Sequence, residues 1–118
     1  MIKKGFKSMR IDFKDAKEVS VSNMNGGKGI IKSNMVFLPH GKIMYATIPP
    51  HSFIGEHKHE TSDDINYVLK GHGKAICDNQ EELLSPGICH ICLKGSSHAI
   101  MNDSDEEMIL LTIVSEIK

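Results

Sequence analysis

The chain has 118 residues, of which 40% are hydrophobic and 25% are charged. This length suits a single domain with its own core, and the composition excludes disordered, collagen-like and coiled-coil proteins. The formal net charge of -1 provides no broad positive field for nucleic acid, and no apolar run approaches the roughly 20 residues of a membrane span. We therefore expect neither a nucleic acid partner nor a membrane partner.

The N-terminus is basic, and no apolar run of signal-peptide length follows it. The three cysteines are an odd number, which suits reduced thiols better than a disulfide framework. These features predict a cytoplasmic protein. Residues 1–16 are rich in lysine and have little apolar periodicity, so they are predicted to form an N-terminal arm, flexible or docked in a dimer, before a β-barrel at residues 17–118.

From Lys17 onward, short apolar runs alternate with turn residues, a pattern that predicts an all-β sandwich or barrel of many short strands. The predicted strands lie at roughly 17–21, 28–38, 42–49, 56–60, 64–70, 73–78, 81–84, 88–93, 97–102 and 106–117. Gly71-His72-Gly73 joins two of them and predicts a tight hairpin. The last segment also fits a buried helix, although its β-branched residues favour a strand.

The seven histidines include a pair that is spaced to share a ligand. His57 and His59 lie two residues apart in a predicted strand, and such residues point to the same face of a sheet. Divalent metals held by nitrogen ligands generally take three or four protein groups, so further ligands must come from elsewhere. His98 and the carboxylates Asp63 and Asp64 stand at the starts of later strands, beside turns.

The spacing of these residues resembles the first of two sequence motifs of the cupin superfamily. That motif is a glycine, five residues, His-x-His, three or four residues, a glutamate, six residues and a glycine. His57, His59, Asp64 and Gly71 reproduce the spacing, while His51 replaces the opening glycine and aspartate replaces glutamate. Aspartate reaches roughly 1.5 Å less far from the backbone than glutamate, which matters for a ligand that must lie close to an ion.

The second cupin motif is a glycine, five residues, a proline, one residue, a glycine, two residues, a histidine, three residues and an asparagine. Gly87, Leu93, Gly95, His98 and Asn102 stand at its five places, with leucine instead of proline. The resemblance covers most of the chain. The chain is similar in particular to small single-domain proteins of the cupin 2 type, which are grouped with oxalate-decarboxylase-like proteins.

The resemblance implies an all-β cupin fold, which is a double-stranded β-helix or jelly-roll barrel of antiparallel strands in a single domain. It implies one divalent transition metal, Mn, Fe, Ni, Co or Zn, held by the ligand set His57, His59, Asp64 and His98. Asp63 is the alternative to Asp64. It fits the three-residue spacing of the motif, but it breaks the six-residue count and faces the opposite side of the strand.

Cupins include enzymes and non-enzymes, so the resemblance leaves the activity open. It implies binding of, or action on, a small polar molecule (a carboxylate, keto compound or diol) by a dioxygenase, isomerase, lyase or decarboxylase. The alternative is a metal-dependent ligand-binding sensor without turnover. The one arginine, Arg10, lies in the arm, so a barrel-wall arginine that clamps a carboxylate is missing unless the arm folds over the site or a lysine replaces it.

The remaining polar residues of interest fit structural roles. Cys89 and Cys92 are three residues apart, so in a strand they face opposite sides and share no metal, whereas a turn opening a helix would revive a redox site. His40, His51 and His72 are predicted at exposed turns.

Three further residues, Tyr45, Asn66 and Glu56, are candidate polar groups of the pocket, with surface or packing roles as the alternative. The Lys17–Phe37 strands and the 107–117 strand offer apolar faces, from which we predict a homodimer.

Overall fold

The computed structural model describes residues 8–117, and this range is all-β apart from two short 3-10 turns. The strands are Lys17–Ser22 (β1), Ile30–Leu38 (β2), Gly41–Ile48 (β3), Ser52–Lys58 (β4), Ser62–Lys70 (β5), Gly73–Cys77 (β6), Gln80–Leu84 (β7), Cys89–Cys92 (β8), Ser97–Asn102 (β9) and Met108–Glu116 (β10). Each predicted strand overlaps an observed one, including the last, where a helix was the alternative, but the strand predicted at 56–60 runs instead from Ser52 to Lys58.

The strands form two sheets with antiparallel pairing throughout. One sheet has the order β1-β2-β3-β10-β5-β8, and the other has the order β4-β9-β6-β7. The core lies between them, because buried side chains of both sheets form one cluster: Ile31, Ala46, Ile48, Val68, Ala75, Leu84, Ile100, Met108 and Leu110. The predicted single-domain jelly-roll barrel is therefore confirmed.

The alternation of side chains along the strands decides which residues face this core. In β10, Met108, Leu110 and Thr112 are buried, while the residues between them are only half-buried. In β5, the buried positions include Asp64 and Asn66. The inner face of the large sheet thus changes from apolar to polar along its strands, and this change positions the site.

The predicted hairpin through Gly71-His72-Gly73 is wrong. β5 pairs with β10 and β8, whereas β6 pairs with β7 and β9, so the turn carries the chain from one sheet to the other. Gly71 has a φ of 86°, and a Cβ there would lie 2.8 Å from the Met108 Cα. Glycine is needed because the corner passes close to β10, a contact that the local sequence does not reveal.

The β4 strand begins at Ser52 and ends at Lys58, so His59 lies just beyond it. The pairing of β4 with β9 shifts between Ile54 and His57, which is the mark of a bulge. The backbone of His59 still bonds to the facing chain, because its N–H donates to the Ser96 carbonyl at 3.0 Å. His57 and His59 are thereby held on one side of the strand.

Asn102, the last residue of the second motif, holds a corner of the barrel rather than the site. Its amide nitrogen donates to the backbone carbonyl oxygens of Ile48, Pro49 and Glu106 at 3.0, 3.1 and 2.7 Å. Its amide oxygen accepts from the Ser104 hydroxyl at 2.7 Å. This buried side chain therefore ties β9 to the loops beside it.

The predicted N-terminal arm is only partly described, since residues 1–7 lie outside the described residues. A 3-10 turn at Phe13–Asp15 brings the Phe13 ring to 5.9 Å from the ring of Tyr45. Whether the arm is flexible or docked in a dimer stays a prediction. No helix in the described part of the chain is long and apolar enough to cross a membrane.

Candidate metal centre

Three histidines from two strands converge on one point. His57 and His98 are direct partners across β4 and β9, and His59 follows two residues after His57. The ligand nitrogens of the three imidazoles all lie within 4.8 Å of one another. Their ring centroids are 4.7, 4.7 and 4.9 Å apart, and the rings are tilted against each other by 70°, 62° and 73°.

The Asp64 carboxylate contacts two members of this group. Its Oδ2 lies 3.2 Å from His98 Nε2 and 3.5 Å from His59 Nε2, and the two nitrogens are 3.0 Å apart. Two ligands that bind one ion at about 2.1 Å and at right angles are about 3 Å from each other. The donor set therefore has the size and the mixed nitrogen and oxygen character that suit a divalent transition metal.

A buried chain of hydrogen bonds orients the Asp64 carboxylate. Asn66 Nδ2 donates to Asp64 Oδ2 at 2.9 Å, and Thr112 Oγ1 donates to Asn66 Oδ1 at 2.8 Å. Burial by itself would raise the pKa of the Asp64 carboxyl, but hydrogen bonds from His98 and Asn66 and the charge of His59 hold that pKa below its ordinary value. The carboxylate is ionised at neutral pH.

Hydrogen bonding in one case and burial in another make two of the imidazoles suitable metal ligands. His57 Nδ1 lies 2.8 Å from the Gly55 carbonyl oxygen and can only donate to it, which leaves His57 Nε2 with a lone pair. Burial, together with the charges of His98, His57 and Lys42, lowers the pKa of His59 although Asp64 opposes the shift. Metals bind neutral imidazole, so these features favour binding at neutral pH.

Asp63 lies on the other side of β5. Its Oδ1 accepts a hydrogen bond from the Lys94 backbone N–H at 2.8 Å, near the surface. The geometry therefore brings Asp64, and not Asp63, next to the three histidines.

His90 was missed as a functional candidate in the sequence. It lies in β8, where Cys89 is exposed and Cys92 is buried, so the two cysteines do face opposite sides as predicted. The same alternation puts His90 inside, with its Nε2 2.9 Å from His98 Nδ1. Alternation in the sequence puts His90 and Cys92 on one face of the strand, but it does not show that this face, rather than the one with Ile91, is the inner one. Burial and the nearby Cys77 thiol raise the pKa of Cys92 to about 12, which makes that thiol unreactive.

A cavity of about 420 Å³ opens onto the three histidines and Asp64. Its other polar lining residues are Asn25, Ser33, Lys42, Asn66 and Thr112, and its apolar ones are Val19, Val21, Met24, Ile31, Met35, Met44, Ala46, Ile54, Ile100, Leu110 and Val114. Of the predicted pocket groups, Asn66 lines this cavity. Tyr45 instead borders a groove beside Phe13, and Glu56 is exposed outside the cavity.

The other histidines outside the site behave as predicted. His40, His51 and His72 are exposed. His51 has a φ of 54°, in the region that favours glycine, and it stands where the first cupin motif has its opening glycine. Its Nε2 lies 2.6 Å from Asp105 Oδ1 at the surface.

Comparisons with known proteins agree with this architecture. A curated protein named oxalate-binding protein, from Thermotoga maritima, is 29% identical over 102 residues, which are 80% of this chain and 83% of that protein. The crystal structure of a protein described as a predicted oxalate decarboxylase, also from Thermotoga maritima, superposes with a TM-score of 0.86 at 24% identity over 92% of this chain and 100% of the other. The protein TT1209 from Thermus thermophilus superposes with a TM-score of 0.65 at 26% identity over 73% and 83% of the two chains.

The family model described as Cupin domain matches residues 44–114, more than half of the chain. The match runs from β3 to β10 and includes all four residues of the candidate site. The chain belongs to the cupin domain family.

Proposed function

We propose that this protein binds one divalent transition metal, Mn, Fe, Ni, Co or Zn, through His57, His59, Asp64 and His98, and that it acts on or binds a small polar molecule (a carboxylate, keto compound or diol) there. The observation that carries the proposal is the convergence of three imidazoles within 4.8 Å at the wall of a cavity. The 3.2 Å approach of Asp64 to His98 supports Asp64, rather than Asp63, as the carboxylate ligand.

The residues around the ligands hold them in place before any ion arrives. The Gly55 carbonyl directs His57, and Asn66 with Thr112 directs Asp64. A bound divalent ion supplies a Lewis acid and a template for a small oxygen ligand. The apolar lining of the cavity offers hydrocarbon surface to the ligand that binds there.

The names of two similar proteins support the chemical class of the ligand. One is called an oxalate-binding protein and the other a predicted oxalate decarboxylase. Both names support a small carboxylate as the ligand class that we propose for the present chain. The predicted need for a cation in the barrel wall is met by Lys42, which lines the cavity.

A second candidate is binding without turnover, as in a metal-dependent sensor. A catalyst for a dioxygenase, isomerase or decarboxylase reaction generally needs an acid or a base beside the ligand. Among the cavity-lining residues that the structure describes, Lys42 is the only titratable side chain besides His57, His59, Asp64 and His98. Because few acids and bases other than the proposed ligands line the cavity, its composition favours binding without turnover.

Elemental analysis of protein purified without added metal tests the proposal. We expect about one transition ion per chain in the native protein and none in a His57→Ala/His98→Ala variant. A His51→Ala/His72→Ala variant is the matched control, because it removes two exposed histidines, and it is expected to keep the ion. A native protein that takes up none of the five metals, even on incubation, contradicts the proposal.

The homodimer and the cytoplasmic location also remain proposals. In the region predicted to pair, Ile30 and Phe37 are 58% and 62% exposed, which supports an apolar contact surface. A monomeric mass by light scattering at micromolar concentration would contradict the dimer.

A further inference from the structure

The two sides of the cavity differ in chemistry, and the strand register shows how. On the large sheet, Asp64 and Asn66 stand on β5, while β1, β2 and β3 contribute mainly Val19, Val21, Met35 and Met44. One row of direct strand partners runs from Met35 through Met44 and Thr112 to Asn66. The wall therefore changes from apolar to polar along a single row.

Lys42 is the one cation in the described lining of the cavity, and it shares a row with Asp64. Lys42 pairs with Val114, and Val114 pairs with Asp64. Two strand spacings of about 4.8 Å separate the Cα atoms of Lys42 and Asp64 by about 10 Å. An anion at the polar end of the cavity would thus lie between the proposed metal site and an ammonium group.

The volume of the cavity also indicates how large its ligand is. Its volume of about 420 Å³ equals the liquid volume of roughly 14 water molecules. Oxalate has six non-hydrogen atoms and no apolar surface, so it would leave more than half of the cavity unfilled and the β1 to β3 wall in contact with water. A ligand that matches both sides has an anionic oxygen-rich head and a hydrocarbon body.

We propose that the ligand is a 2-oxo or 2-hydroxy monocarboxylic acid with a hydrocarbon body, rather than a bare dicarboxylate such as oxalate. The head binds at the proposed metal centre near Lys42, and the body packs on the apolar side. This inference rests on the proposed function, because the head needs the metal.

Calorimetric titration of the Mn²⁺-loaded protein tests the ligand class with oxalate and with the series pyruvate, 2-oxobutanoate, 2-oxopentanoate and 2-oxohexanoate. We expect affinity to rise by up to about fourfold per methylene, the factor that follows from ~0.8 kcal/mol per buried CH₂. Oxalate should bind more weakly than 2-oxohexanoate. A flat series, tighter binding of oxalate, or no binding by metal-loaded protein overturns the ligand class.

Three variants separate the two sides of the ligand. Val19→Thr/Val21→Thr should flatten the dependence on chain length and leave pyruvate binding unchanged. Lys42→Met should weaken every acid by a similar factor and keep the dependence, whereas Lys32→Met, which removes an exposed cation on β2, should change neither. Metal content is measured on the same samples, so that a chain that takes up neither Mn²⁺ nor any of the other four metals overturns the proposed function itself.

A second inference rests on His90, a buried histidine outside the proposed ligand set. Its side chain is 0% exposed, whereas that of Glu82 is 50% exposed. His90 Nδ1 lies 2.9 Å from Glu82 Oε1, and His90 Nε2 lies 2.9 Å from His98 Nδ1. The rings of His90 and His98 are stacked, with centroids 5.1 Å apart.

The chemistry of the three groups determines where the hydrogens lie. An ionised carboxylate only accepts, so His90 Nδ1 carries a hydrogen and donates it to Glu82. In the metal-free chain His98 Nε2 donates to Asp64, and a bound metal would take the place of that hydrogen. A metal-bound histidine is a neutral imidazole, so His98 would then carry its hydrogen on Nδ1 and donate it to the lone pair of His90 Nε2.

We infer that Glu82 and His90 are positioning residues that fix the tautomer and the ring orientation of His98 for the proposed metal. Groups that support a metal-bound histidine in this way typically change metal affinity by about 10–100-fold when they are mutated. His90→Leu should therefore lower Zn²⁺ affinity by a factor in this range. His90→Gln, which can still accept from His98 Nδ1–H, should restore most of it.

The experiment combines chelator competition for Zn²⁺ with long-range ¹H–¹⁵N spectra of the Zn²⁺-loaded protein. We expect a hydrogen on His98 Nδ1 in the native chain, a smaller effect of Glu82→Ala than of His90→Leu, and no effect of Glu81→Ala, the neighbouring control. An unprotonated His98 Nδ1, or folded His90→Leu with native Zn²⁺ affinity, overturns the inference. A native chain that binds neither Zn²⁺ nor any of the other four metals overturns the proposed function, whereas a chain that binds Zn²⁺ but fails either of these tests overturns only the role of His90.

Discussion

The polar and the apolar sides of the cavity are built on different principles. Asp64 and His98 on the polar side each have a buried partner that orients them, Asn66 in one case and His90 in the other. The apolar side is formed mainly by Val19, Val21, Met35 and Met44, which depend on shape and exclusion of water alone. Ser33 and Lys42 are the polar exceptions among the described lining residues of β1, β2 and β3. A polar site inside a core needs a second layer of hydrogen bonds, because an unpaired buried polar group is costly.

The largest effect is expected when the apolar side is broken. Ile31→Ala removes a side chain that is 1% exposed and should lower the free energy of unfolding by about 2–5 kcal/mol. Zn²⁺ affinity at 25 °C should be unchanged, because the ligands lie on the other side. Urea denaturation and chelator competition measure the two quantities.

Leu83→Ala is the matched control for this prediction. Leu83 has a side chain with as many carbons as Ile31, but it is 79% exposed and lies in β7, outside the strands predicted to pair in a dimer, so its loss should cost less than about 0.5 kcal/mol. Equal effects of the two variants would show that the apolar side does not depend on burial.

The next largest effect concerns the two neighbouring aspartates on the polar side. Asp64→Asn should lower Zn²⁺ affinity by at least the roughly 10–100-fold that the loss of a supporting group costs. Asp63→Asn should leave it unchanged, because the asparagine oxygen can still accept from the Lys94 N–H. The reverse order of the two affinities would make Asp63 the ligand.

The hydrogen bonds behind Asp64 should have a smaller effect. Thr112→Val keeps the shape of the side chain but removes the donor to Asn66. We expect roughly 1–3 kcal/mol of lost stability from the unpaired Asn66 oxygen. Zn²⁺ affinity should fall by less than about tenfold, because Thr112 acts two steps away from the site. Thr47→Val, a half-buried threonine outside the cavity lining, should change neither quantity.

The smallest effect expected is a pH dependence confined to the polar side. The pKa of His59 is lowered from 6.5, mainly by burial, so the unfolded chain binds a proton more readily than the folded one. The stability of the metal-free protein should therefore fall as pH falls through about 6.5. Asp64, with a lowered pKa, adds a further loss only as pH falls below 3.8.

Denaturation of the metal-free protein at several pH values around 6.5 tests whether the free energy of unfolding falls as the pH falls. His59→Gln should flatten the dependence near that pH, whereas His72→Gln, which changes an exposed histidine, should not. A stability that rises on acidification through this range would contradict the burial effect on His59.

Much of the fold was predictable because its cause is local. Turn residues and the period-2 alternation of apolar side chains mark the strands, including β10. The exposed His72 and the opposed faces of Cys89 and Cys92 follow from the same local rules. The spacing of His57, His59, Asp64 and His98 predicted their convergence through resemblance to a family, without any account of the contacts between them.

Other features could not be predicted, because they arise from contacts between distant segments. The Gly71-His72-Gly73 turn has the composition of a hairpin, and only the packing of β10 beside it shows a crossing between sheets. His90 and Glu82 are eight residues apart and join His98 through a chain that no spacing rule describes.

The amino-acid sequence by itself determined the strands and the class of the barrel and predicted the three candidate histidine ligands, since alternation, turn propensity and motif spacing are properties of short segments. The tertiary structure decided the rest. It separated Asp64 from Asp63, put Lys42 in a row with Asp64, and brought His90 behind His98. These relations depend on which strands pair and in what register, and that pairing is set by the packing of the whole core.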